Sequence, residues 1–251
     1  VTSSLKHVDF SNNRFTSMSR FQQYKGSFQT LRFCDVSTNE IKNDASDLLE
    51  NIPPNIEQFF ASNNEIYGSL PDSLNNLPKL SEFDMSSNAL SGSLPVFADS
   101  FLSLQQLDLS NQNQKNGFIG SIPEDLWRLQ SLKVLNLAGN TLAGTISPDI
   151  GKMAALEEFD LSNNLLSGQI PTQMGQLEGI LRRLVLANNA LIGTIPSQLG
   201  QLQGAAVLLT GNSFDDSSTA PLSLCIEEFD LASDTQLCPV ERNALSDFYD
   251  A

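Results

Sequence analysis

The sequence predicts an α/β solenoid of about nine coils, with a concave parallel β-sheet of about nine strands and a convex side of turns and 3₁₀ segments. Three observations predict it. One frame, Leu-x-x-Leu-x-Leu-x-x-Asn-x-Leu-x-Gly-x-Ile-Pro-x-x-Leu-Gly-x-Leu, recurs along the 251 residues. Its asparagines are spaced by 23 to 28 residues, a period that belongs to stacked repeats. Its Leu-x-Leu segment alternates with period two, as a short strand does when one face is buried.

The clearest copy starts at Leu156 and runs through Phe159, Leu161, Asn164, Leu166, Gly168, Ile170, Pro171, Met174, Gly175 and Leu177. A single coil is too small to bury its own apolar face, so neighbours must stack to make one long core. The frame asparagines are Asn13, Asn39, Asn64, Asn88, Asn116, Asn140, Asn164, Asn189 and Asn212. At each the chain turns inward and leaves buried backbone groups in need of partners. A carboxamide supplies both a donor and an acceptor. Leaving such a group unpaired costs about 1–3 kcal/mol.

The coils differ in order along the chain. The first two lack the Gly-x-Ile-Pro half and are rich in phenylalanine (Phe10, Phe15, Phe21, Phe28, Phe33), so their convex shape should differ. The fifth carries about four extra residues, roughly Gln112 to Lys115, which predicts a bulge at the concave edge before Asn116. The sixth reads Ile146-Ser147-Pro148, with its proline shifted by one. The ninth has Gly204 in place of the first leucine, and the pattern ends after Phe214. The array therefore covers residues 1–214, and residues 215–251 read as an acidic C-terminal cap or linker. The chain starts at Val1 with repeats already running by Leu5, which suggests a piece of a longer protein.

The formal net charge is −15. Nucleic acid binding needs clustered Lys and Arg to replace counterions on phosphates, and neither the sign nor a cluster is present. An anionic membrane surface is disfavoured for the same reason. A basic protein or peptide, or a divalent cation, fits the charge, which also serves solubility. No apolar run reaches transmembrane length.

Little chemistry is encoded. The one histidine, His7, excludes His–Cys metal sites and leaves no credible Ser-His-Asp set. No phosphate-binding glycine loop follows a strand, so neither a catalytic residue, a metal site nor a cofactor is expected. Asp84 and Asp108 should stand side by side on adjacent strands about 4.8 Å apart. That spacing resembles a glycosidase pair, but catalysis needs two differentiated acids in a cleft. Aspartate here also recurs with the frame, as in Leu107-Asp108-Leu109-Ser110.

The runs Leu166-Ser167-Gly168-Gln169-Ile170-Pro171 and Leu191-Ile192-Gly193-Thr194-Ile195-Pro196, with Ser69-Leu70-Pro71 and Ser93-Leu94-Pro95 as variants, resemble the plant-type class of leucine-rich repeats. The resemblance covers residues 5–214. It implies a twisted right-handed leucine-rich-repeat solenoid, usually extracellular or a cell-surface ectodomain, that binds peptides, proteins or glycans. The family includes receptor-kinase ectodomains, receptor-like proteins and inhibitors of wall-degrading hydrolases, and similar arrays occur in algae and diatoms. No kinase signature is present. Cys238-Pro239-Val240-Glu241-Arg242-Asn243-Ala244-Leu245 resembles the opening of the N-terminal cap of such arrays. It reads either as the start of a second module or as a closing helix. Cys225 and Cys238 flank this region, and a disulfide between them would fit an oxidising compartment. A second module would instead give Cys238 a partner beyond Ala251. Cys34 falls on an inward strand position and reads as a buried small hydrophobe. No Asn-x-Ser/Thr sequon occurs, which the frame partly explains because an apolar residue follows each asparagine two places on.

Alternate strand positions face outward on the concave sheet. One outward row reads His7, Phe33, Gln58, Glu82, Gln106, Val134, Glu158, Arg183 and Ala206. The next reads Asp9, Asp35, Phe60, Asp84, Asp108, Asn136, Asp160, Val185 and Leu208. Phe33 and Phe60 are expected to meet, either as an exposed aromatic anchor or buried under a cap or loop. Beyond them Glu82, Asp84, Asp108, Glu158 and Asp160 form an acidic stretch interrupted by Val134 and Asn136. A recognition module for a ligand with a hydrophobic end and a basic body is the leading reading. A structural, adhesive or ice-binding surface and a hydrolase inhibitor are the alternatives.

Overall fold

The computed structural model describes residues 4–18, 28–97, 101–112 and 117–215. Nine short strands form one parallel sheet in strict chain order: His7–Asp9, Phe33–Asp35, Gln58–Phe60, Glu82–Asp84, Gln106–Asp108, Val134–Asn136, Glu158–Asp160, Arg183–Val185 and Ala206–Leu208. Each is three residues long, and the middle residue of each points into the core: Val8, Cys34, Phe59, Phe83, Leu107, Leu135, Phe159, Leu184 and Val207 are all buried. The residues between coils complete one continuous hydrophobic cluster from Val8 to Leu209. No coil has a core of its own, so the stack is the unit of stability.

The carboxamide ladder runs beside this sheet. Asn88 Nδ2 donates to the carbonyls of Met85 and Ser86 in its own coil and of Ala61 in the coil before. Asn88 Oδ1 accepts the amide of Ile66 at 3.0 Å. Asn39, Asn64, Asn140, Asn164, Asn189 and Asn212 repeat this set of contacts. Among the described residues, Asn13 Nδ2 donates to the carbonyls of Phe10 and Ser11 in its own coil.

The fifth coil departs from expectation. Gln112, not Asn116, occupies the ladder. Its Nε2 donates to the carbonyls of Met85, Leu109 and Ser110, and its Oε1 accepts the Leu90 amide at 3.0 Å. Glutamine carries the same carboxamide as asparagine, so the chemistry is conserved at one extra methylene. The extra residues of this coil therefore follow Gln112 in the sequence, outside the described residues. Asn116 itself lies outside the described residues.

The far side of the coils holds more than turns. Short strands at Gly92–Ser93, Phe118–Ser121, Thr141–Gly144, Leu165–Gly168, Ala190–Gly193 and Ser213–Phe214 make a second, six-stranded parallel sheet. Tyr67–Gly68 and Ala89–Leu90 form a separate pair. The Leu-x-Gly step of the frame builds these strands. Next come the 3₁₀ segments Asp72–Asn76, Glu124–Arg128, Pro148–Lys152, Thr172–Leu177 and Ser197–Gln201. Each begins at or just after a proline, whose fixed φ suits the first turn. Coil two lacks that proline and instead forms a short α-helix, Ala45–Leu49, capped by Asp44 Oδ1 accepting the Ser46 amide. Residues 216–251, expected as a cap or linker and holding Cys225 and Cys238, lie outside the described residues.

Candidate functional site

The concave sheet is where outward side chains depart from the repeat. Its register is simple. His7 stands opposite Phe33, Phe33 opposite Gln58, Gln58 opposite Glu82 and Glu82 opposite Gln106. Val134 follows between Gln106 and Glu158, and Arg183 lies beside Glu158. The second row runs Asp35, Phe60, Asp84, Asp108, Asn136, Asp160 and Val185 in the same register. Both rows are half-buried, except that Val185 is buried and His7 is exposed.

Phe33 and Phe60 meet on this surface, with ring centroids 5.7 Å apart and planes tilted by 55°. His7 adds a third ring, stacked on Phe33 at 3.9 Å and nearly parallel to it. The three rings come from three successive strands, so the patch spans the first third of the sheet. Sequence reasoning placed His7 in the outward row without recognising the stack. The signal was present, since residues opposite each other on adjacent strands are about 4.8 Å apart and two rings there are within reach of each other.

The aspartates have a structural duty that sequence reasoning missed. Asp35, Asp84, Asp108 and Asp160 each use Oδ1 to accept the amide of the serine two residues on, at 2.8–2.9 Å. Asn136 does the same for Ala138 at 3.1 Å. These contacts close the turn after each strand, as short acceptor side chains commonly do. The readable signal was the recurring Asp-x-Ser.

The second carboxylate oxygens distinguish the coils. Asp108 Oδ2 accepts from Asn136 Nδ2 at 2.9 Å, and Asp160 Oδ2 pairs with Arg183 at 3.2 Å. Glu82 accepts from Gln58 at 2.8 Å. Burial pushes the Asp108 carboxyl above its ordinary value, and neighbouring Asp84 adds to the rise, against the lowering effect of hydrogen bonds from Ser110 and Asn136. Asp9, at the exposed edge, is lowered instead, chiefly by the Ser11 amide.

Among the described residues, no three His, Cys, Asp or Glu side chains gather as a metal site would require. Cys34 is a buried free thiol on the inward side of its strand, and burial pushes it up to about 12. The paired carboxylates Asp84 and Asp108 lie on an open sheet with one oxygen each committed to a turn.

The leucine-rich-repeat family model matches residues 131–153, 155–177 and 181–202. Those three stretches are leucine-rich repeats, and the stack as described has the leucine-rich-repeat fold. Its fold matches plant leucine-rich-repeat receptor ectodomains over most of its length. The structure titled PEPR1-AtPEP1 is 27% identical, covers 88% of this chain and 31% of its own, and has a TM-score of 0.73. The Arabidopsis receptor kinase HAESA, in complex with the peptide hormone IDA and the co-receptor SERK1, is 26% identical over 94% of this chain and 44% of its own, with a TM-score of 0.69. A plant ice-binding protein is 25% identical over 77% of this chain and 63% of its own, with a TM-score of 0.64. The chain thus spans less than half the length of the two receptor ectodomains. No curated protein matches it by sequence. Among the described residues, no helix is long and apolar enough to cross a membrane.

Proposed function

We propose that this array is the recognition part of a larger receptor-like or secreted protein, working outside the cell, and that it binds a peptide or protein segment on its concave sheet. One observation carries the reading: the half-exposed Phe33–Phe60 pair, with His7 stacked behind it, on the sheet's outward face. A rigid aromatic cluster ringed by polar side chains is the usual anchor of a binding surface. Support comes from HAESA, whose ectodomain fold this chain shares and whose structure holds a peptide hormone. A glycan would use the same polar rows with the aromatic patch as its stacking floor.

The test is a displayed random-peptide library selected against the chain. Val134 sits mid-sheet on the concave face, and Leu165 is exposed on the second sheet. Peptides that bind should lose Val134→Arg and keep Leu165→Arg. Binders with the opposite pattern would move recognition off the concave face.

A surface-active role, such as ice binding, is a second reading favoured by one feature. The second-sheet flank exposes a small hydroxyl side chain in most coils, Ser69, Ser93, Ser121, Thr145 and Thr194, with Gln169 the exception. Thermal hysteresis in a nanolitre osmometer tests it, and ordinary freezing behaviour at millimolar protein would remove it.

A further inference from the structure

The aromatic patch and the acidic stretch are neighbours, and their spacing constrains a ligand. Phe60 stands opposite Asp84 on the next strand, and Asp84 opposite Asp108 on the one after. Adjacent strands lie about 4.8 Å apart, so the space between Asp84 and Asp108 is about 7 Å from Phe60 along the solenoid axis. An extended peptide rises about 3.3 Å per residue, and its side chains at i and i+2 share a face about 7 Å apart. The two distances agree. We propose that the concave face selects an extended peptide lying along the solenoid axis by two side chains two residues apart: an aromatic or large aliphatic one over Phe60, flanked by Phe33, and a lysine or arginine between Asp84 and Asp108. This rests on the peptide-recognition reading above.

The charge of the surface identifies the second side chain. Asp84 commits one oxygen to Ser86, and its other makes no hydrogen bond to a described side chain. Glu82 lies on the same strand two residues before Asp84, and among the described residues its only side-chain partner is the neutral Gln58. The nearest cation along either row is Arg183, which is engaged with Asp160. Within these two rows the middle of the sheet is therefore acidic without a counter-charge, in a chain of net charge −15. An acidic peptide would be repelled there, whereas a cation relieves the repulsion between neighbouring carboxylates. The first side chain is identified by the rings. His7 covers one side of Phe33, and Phe60 stands on the other, which leaves the outward rims of the two phenyl groups for the ligand.

The experiment uses the full chain and peptides selected from a displayed random library. The key variant is Asp84→Asn, which removes the charge and keeps the acceptor for the Ser86 amide. The protein already uses this solution, since Asn136 caps Ala138 in the same row. The expected result is a selected set with an aromatic or large aliphatic residue two places from Lys or Arg. Affinity should fall about tenfold or more with Asp84→Asn, with Gln in place of the peptide cation, or with the cation moved to i+3. Phe33→Ser should weaken binding similarly, with circular dichroism confirming the fold. Peptides that lose binding to Val134→Arg but lack the spaced pair and ignore Asp84→Asn overturn this proposal and leave concave recognition standing. Peptides that ignore Val134→Arg as well, or a library without binders, overturn both.

Discussion

Gln112 Oε1 accepts the Leu90 amide at 3.0 Å, the bond that Asn88 Oδ1 makes to Ile66 one coil earlier. Both side chains are buried, and both donate to three carbonyls as well. Replacing either by leucine fills the space but leaves buried backbone groups unpaired, each costing about 1–3 kcal/mol. Gln112→Leu and Asn88→Leu should therefore destabilise to a similar degree in urea unfolding. Asn116→Leu should change stability by less than about 0.5 kcal/mol, the usual range for a substitution away from such features. Equal effects at Asn116 and Gln112 would contradict the ladder assignment.

That ladder also shows how much was legible. The frame Leu-x-x-Leu-x-Leu-x-x-Asn set out the coil number, the strand positions and seven of the eight carboxamides that link a coil to the one before. It failed at coil five because four extra residues placed an asparagine at another acceptable spacing. Glutamine, with the same carboxamide, was not weighed as its substitute. The second sheet was missed because its strands are two to four residues long, too short for a period-two signal. At the concave face, the two rows and the meeting of Phe33 with Phe60 followed from alternation alone. The stacking of His7 on Phe33 and the serine-bound aspartates had signals too, in the register and in the recurring Asp-x-Ser, but the side-chain rotamers decide whether such contacts form.

Backbone strain gives a second prediction. The residue before each ladder position turns through the left-handed region, with φ of 54° at Thr38, 53° at Ser87 and 54° at Asn63. Asparagine tolerates this region, whereas a β-branched residue is strained there. Thr38→Asn should stabilise the chain by about 1 kcal/mol, read as a higher urea midpoint at unchanged slope. A lower midpoint would show that Thr38 makes a compensating contact.

Asp108 predicts a pH dependence. Burial, and then Asp84, hold its carboxyl above the ordinary range. The folded state thus binds this proton more tightly than the unfolded chain does. Asp108 contributes a stability that is present at low pH and lost as pH rises from the ordinary carboxylate value through the raised one. Asp84→Asn removes one cause of the rise. The Asp108 carboxyl, followed by NMR titration, should move down in that variant, and the acid-side stability change should shrink. An unmoved titration would mean that the two carboxylates do not sense each other.

Cys34 should be inert. Its thiol is buried, and the rise to about 12 leaves almost no thiolate at pH 8. Iodoacetamide at pH 8 should spare the Cys34 peptide in the folded chain and modify it in urea, as read by mass spectrometry. Rapid modification of the folded chain would place the thiol on the surface.

The central claim is that a ligand lies along the concave sheet over Phe60 and Asp84. Carboxyl footprinting tests it most directly: carbodiimide coupling with and without a selected peptide, mapped by mass spectrometry. Bound peptide should protect Glu82 and Asp84 on the concave strand while leaving Glu65 and Asp72, exposed on other faces, unchanged. Protection of Glu65 or Asp72 with Glu82 and Asp84 still labelled would contradict it.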